Sequence, residues 1–142
     1  MQMGKEPVYL LFLTIHAVTD MREKQIYVAV LVLQAFAGMM FQICCGQAGS
    51  AAVISCLPGL FCLGVGRLSR EEIGYGDGWM ILLGGLYVSP GRMMAQLFLA
   101  SVAACLYAVW LLAAGKLSRE GEIPFAPFFL IGYLGGVLYG QK

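Results

Sequence analysis

Residues 26–66 read IYVAVLVLQAFAGMMFQICCGQAGSAAVISCLPGLFCLGVG and hold no Asp, Glu, Lys or Arg. A helix needs roughly 20 apolar residues to cross a bilayer core, so this stretch is long enough for two crossings. Near its middle, Cys45-Gly46-Gln47-Ala48-Gly49-Ser50 supplies the small and polar residues of a turn. The stretch therefore predicts two membrane helices, over 26–46 and 47–66, folded back on each other as a tight hairpin.

Working outward, further apolar segments occupy residues 7–19, 73–88, 93–114 and 123–140. Val88-Ser89-Pro90-Gly91-Arg92 separates two of them and predicts a second tight hairpin. The expectation is an all-α fold, a polytopic membrane helix bundle of six transmembrane helices forming a single domain over 1–142. Composition agrees: 60% of residues are hydrophobic, 12% are charged and mean hydropathy is +0.79. Soluble domains carry about 25% charged residues, which excludes an ordinary water-soluble fold. A net charge of +1 leaves no basic excess to hold a nucleic-acid backbone. The partners expected are the lipid bilayer and whatever approaches through it. Nothing in the sequence sets the oligomeric state.

The charges are placed unevenly. Asp20, Arg22, Glu23 and Lys24 follow the first segment; Arg67, Arg70, Glu71, Glu72 and Asp77 lie between the third and fourth; Lys116, Arg119, Glu120 and Glu122 lie between the fifth and sixth. These three connections hold thirteen of the seventeen charged residues. Six spans put all three on one side, with six of the nine Lys and Arg residues. By the positive-inside rule that side is cytoplasmic and both termini are outside. The N-terminus lacks a small-residue cleavage site, so the first segment is expected to remain as a span.

Two aspartates stand at the charged side. The segment ending at Thr19 and the one counted from Gly78 are short for about 30 Å of hydrocarbon, and reach further only if Asp20 and Asp77 lie on the helices. Acids at such a depth are costly and are retained for function or paired with a neighbour. Around the second, Gly74-Tyr75-Gly76-Asp77-Gly78 gives the backbone freedom and no bulk, letting another peptide lie close to the carboxylate. A phosphate site is disfavoured there because Asp77 repels an anion. Two carboxylates that meet share one proton; the ionised one activates water while the protonated one polarises a carbonyl. His16, one turn before Asp20, either bonds that carboxylate or serves as a structural hydrogen-bond partner. Gly132, Gly136 and Gly140 form a small-residue stripe suited to close helix packing. Cys44, Cys45, Cys56, Cys62 and Cys105 make no C-x-x-C pair and are read as filler between packed helices, not as a metal site.

Three motifs together resemble the type IV prepilin peptidases, intramembrane aspartyl proteases with a GxGD signature. They are Thr19-Asp20-Met21-Arg22-Glu23-Lys24-Gln25-Ile26, Gly74-Tyr75-Gly76-Asp77, and Ile123-Pro124-Phe125-Ala126-Pro127-Phe128. The resemblance implies that Asp20 and Asp77 are the catalytic pair. It also implies that Pro124, Phe125 and Pro127 pack beside them near the substrate entry; Gly74, Gly76 and Gly78 are expected to leave room for the substrate's backbone, and no cofactor or metal is expected. Taken alone, Pro124 and Pro127 suit the first turn of a helix. The family often has Ile-Pro after its first aspartate and a lysine two residues after its second; here stand Ile26-Tyr27 and Trp79. The cytosolic cysteine-rich insertion and methyltransferase region of long members have no counterpart. The chain is thus similar to the minimal peptidase-only members that serve tight-adherence pili or archaeal preflagellins.

The implied function is removal of the short basic leader from prepilin-like membrane proteins at the cytoplasmic face of the cell membrane. Glu23, Glu71, Glu72, Glu120 and Glu122 enrich that face in acid, although interspersed Lys and Arg also suit a plain solvated loop. Two other readings use the same residues: a small transporter that binds protons or cations at Asp20 and Asp77, and a silent scaffold packed through its glycines.

Overall fold

The computed structural model describes residues 4–44, 49–68, 75–115 and 123–139. Six helices follow one another: α1 (Lys5–Glu23), α2 (Val28–Cys44), α3 (Ser50–Leu68), α4 (Tyr75–Gly84), α5 (Pro90–Ala113) and α6 (Ala126–Tyr139). There is no strand among the described residues. Each helix falls on one apolar segment. α3 and α5 are both long and apolar enough to cross a membrane; α2 and α6 are apolar but shorter.

The ends differ from the sequence expectation for local reasons. α1 continues past Thr19 through Glu23, which carries Asp20 onto the helix. α4 has only 10 residues and stops at Gly84. Gly85 follows in a tight turn, where an added Cβ would stand 2.6 Å from the Ser55 carbonyl oxygen of α3. α5 starts at Pro90, ahead of the expected Met93, because proline suits the first helical position and its fixed φ is already helical. α6 starts at Ala126, so Pro127 lies in its first turn but Pro124 precedes it. The turn between α2 and α3 and most of the charged residues of the later two connections lie outside the described residues.

The interior is built around α1. Lys5, Tyr9, Leu13, His16, Ala17 and Asp20 recur at three- and four-residue steps and form its buried face. Against this face pack α6 and α2, while α3 pairs with α4 and α5 with α6. The α3–α4 approach is set by Gly59, where a Cβ would fall 2.2 Å from the Leu82 backbone nitrogen. The α5–α6 approach is set by Gly132, where a Cβ would fall 2.4 Å from the Gln96 carbonyl oxygen. The expected glycine stripe is therefore real at Gly132 only: Gly136 faces open space and Gly140 lies outside the described residues.

Beside an apolar core, several polar side chains are buried while many large apolar ones face outward. His16, Gln34, Ser55, Gln96, Asp20 and Lys5 are buried, whereas Val32, Phe36, Leu57, Phe61, Phe98 and Leu106 lie on the outer surface. A few hundred Å2 of contiguous exposed apolar surface is already unusual for a soluble monomer. The expected role of the cysteines as filler holds for Cys62, which packs against the core, but not for Cys44 and Cys105. Cys44 and Cys105 are exposed, Cys56 and Cys62 are half-buried, and Cys45 lies outside the described residues.

Candidate active site

Asp20 lies near the C-terminus of α1, on its buried face. The helix ends at Lys24, whose backbone is left-handed (φ 50°, ψ 34°) and whose N–H donates to the Asp20 carbonyl oxygen at 3.0 Å. Helices commonly close in this conformation, although glycine is the usual residue for it. The Asp20 side chain is only 7% exposed. Its Oδ2 accepts a hydrogen bond of 3.0 Å from the backbone N–H of Ala126, the first residue of α6.

Asp77 is in the first turn of α4 and half-buried. That position suits a carboxylate, because the free N–H groups of a helix start carry partial positive charge. Asp77 lies within electrostatic reach of Asp20, and Cys62 of α3 lies within reach of Asp77. The two acids that the sequence singled out, one from each of two helices far apart along the chain, thus come within electrostatic range of each other. Among the described residues, neither is ion-paired to a lysine or arginine.

The glycines beside Asp77 are occupied by the chain itself. A Cβ on Gly76 would meet Ile26 at 3.1 Å, and one on Gly78 would meet Leu63 at 2.8 Å. Their lack of bulk seats α4 against α3 and the residues preceding α2. Gly74 lies outside the described residues. Pro124, Phe125 and Pro127 are half-buried at the start of α6, with the Phe125 and Phe129 rings 6.0 Å apart. Trp79 is 41% exposed.

His16 does not bond Asp20. Its Nε2 lies 2.9 Å from Oε1 of Gln34 on α2, and its Nδ1 has no hydrogen-bond partner. Tyr87 donates to the Gln34 carbonyl oxygen at 2.6 Å and stacks on Tyr9 with ring centroids 5.1 Å apart. Gln96 on α5 donates both to the Tyr9 hydroxyl at 3.1 Å and to the Phe129 carbonyl oxygen at 3.2 Å. These partners were not foreseen from the sequence. The available signal was a glutamine inside a long apolar run, which needs a polar partner when buried. Among the described residues, no group of three His, Cys, Asp or Glu side chains is arranged to hold a metal ion.

The profile of the type IV leader peptidase family matches residues 8–109. The chain belongs to this family. The matched segment contains both aspartates and ends before the Ile123–Phe128 motif. No curated protein and no solved structure matches the chain. Family membership makes it a protease of the leader-peptidase kind, and the two neighbouring carboxylates lie within the part of the chain that carries the match.

Proposed function

We propose that this leader peptidase is an intramembrane aspartic endopeptidase of six membrane-spanning helices. It removes the short basic leader of type IV prepilin-like or preflagellin-like substrates at the cytoplasmic face. Asp20 and Asp77 form its catalytic pair. The observation that carries this reading is the electrostatic proximity of two carboxylates drawn from different helices, with no described cation neutralising either. The apolar outer surface, with polar side chains such as His16, Gln34 and Gln96 kept inside, supports a lipid environment.

In the proposed reaction the pair holds one proton. The ionised carboxylate takes a proton from water as its oxygen attacks the scissile carbonyl carbon, while the protonated carboxyl donates a hydrogen bond to the carbonyl oxygen. The tetrahedral intermediate then collapses, the C–N bond breaks, and the pair returns a proton to the leaving amine. A substrate with a basic leader ahead of an apolar helix presents its junction at the boundary where the two aspartates lie. Pro124, Phe125 and Pro127 belong in this reading to the walls of that approach, while Gly76 and Gly78 seat α4 so that it presents Asp77.

The test is coexpression with a tagged prepilin, comparing the size and N-terminus of the substrate for wild type, Asp20→Asn and Asp77→Asn at matched expression. Loss of processing in both variants is expected. Processing that persists in both, above the level without this chain, removes the aspartates from the mechanism. The rate should also depend on pH as a property of the coupled pair; a flat profile from acid to alkaline pH contradicts a shared proton.

A further inference from the structure

The bond between Asp20 and the start of α6 carries an inference that rests on Asp20 being one of the catalytic pair. The first N–H groups of a helix have no partner within that helix. At α6 one of these groups, that of Ala126, is met by a carboxylate 106 residues earlier in the chain. Both ends are dry, since Ala126 is fully buried and Asp20 nearly so. Hydrogen bonds to charged groups are stronger than neutral ones, and a buried donor left unmet is costly. The bond therefore fixes the rotation of the Asp20 carboxyl group, and α6 cannot shift along α1 without disturbing it.

We infer that the backbone N–H of Ala126 is a positioning group for Asp20, aiming its carboxylate at Asp77 and keeping the pair's proton off the Oδ2 lone pair that faces α6. The neighbouring sequence suits this task. Pro127 contributes no N–H to compete for the carboxylate, and the Phe129 N–H is satisfied by the Phe125 carbonyl oxygen at 3.0 Å. The Ala126 amide is thus the donor that α6 directs at the acid.

A backbone donor can be removed here without breaking the helix. Proline is favoured at the first helical position, and the residue before a helix usually has the extended backbone that a following proline prefers. Ala126→Pro deletes the donor, while Ala126→Val adds similar bulk and keeps it. With purified full-length chain and a prepilin-like substrate, Ala126→Pro should lower kcat roughly 10- to 100-fold with little change in KM. Ala126→Val should lower kcat far less than Ala126→Pro, because it keeps the donor. A wild-type kcat in Ala126→Pro, or the same loss of kcat in Ala126→Val, overturns the inference.

A second measurement needs no activity. Hydrogen exchange at the Ala126 amide should be at least about tenfold faster in Asp20→Ala than in wild type. Unchanged exchange overturns the inference even if Ala126→Pro fails to fold. Faster exchange in an enzyme whose cleavage does not depend on Asp20 would instead remove the aspartic-protease reading and leave the bond a structural one.

Discussion

The two ends of α1 use acidic side chains in opposite ways. At its start Glu6 meets Arg92 of α5 in an ion pair of 2.8 Å, each side chain 41% exposed, beside a cavity of about 390 Å3 lined also by Gln42, Tyr87 and Ser89. At its other end Asp20 is buried, tied to a neutral backbone donor, and set near a second acid. A charge beside a cation and partly wet has little left to do. A charge beside another acid in a dry place is kept at a cost, and such arrangements are found where chemistry is done.

The largest break in this comparison should come from Asp20→Asn and Asp77→Asn, each lowering cleavage about 10²- to 10⁴-fold in a peptide assay. Next, Asp20→Glu and Asp77→Glu should each lose roughly 100-fold, since one added methylene displaces the carboxylate by about an ångström. Full activity in both Glu variants would argue against direct chemistry by either residue. Gly59→Ala should act on stability, lowering it by about 1–3 kcal/mol in thermal or denaturant unfolding in detergent, because α3 and α4 must separate to admit the methyl group. The smallest effect belongs to the other end. Arg92→Leu should cost about 0.2–1 kcal/mol, discounted further by its exposure, and should leave kcat within about twofold. A larger loss of activity there would mean that the two ends are coupled.

What could be read beforehand follows the range of the interactions involved. Hydropathy located the helices because an apolar run of membrane length is a local property, and charge placement put Asp20 and Asp77 on one side. The helix ends were less legible. Pro90 was read as part of a turn although proline at the first helical position starts α5, and α4 is cut short by a contact between Gly85 and α3. Contacts between helices were the least legible: the short turns suggested that α2 packs on α3 and α4 on α5, whereas α3 packs chiefly on α4 and α5 on α6. Nothing within the sequence near His16 names Gln34, and nothing near Asp20 names Ala126. The glycine pattern misled for the same reason: four-residue spacing shows which residues share a face, but not whether a partner lies against it. Gly132 has one and Gly136 does not, while the closest approach falls at Gly59, four residues after Ser55 and outside the stripe first noticed.

The shortness of α4 bears on the lipids as well as on the protein. Ten residues rise about 15 Å, half the thickness of a typical hydrocarbon core. In a bilayer, a bundle with one short leg imposes hydrophobic mismatch on that flank, and the membrane thins or the bundle tilts to meet it. In the proposed six-span arrangement Asp77, at the start of this helix, then lies where the headgroups dip toward the protein. In the proposed mechanism, acyl-chain length thereby becomes a variable of the reaction, with thicker bilayers lengthening the path that water and the substrate's leader must travel to the two carboxylates.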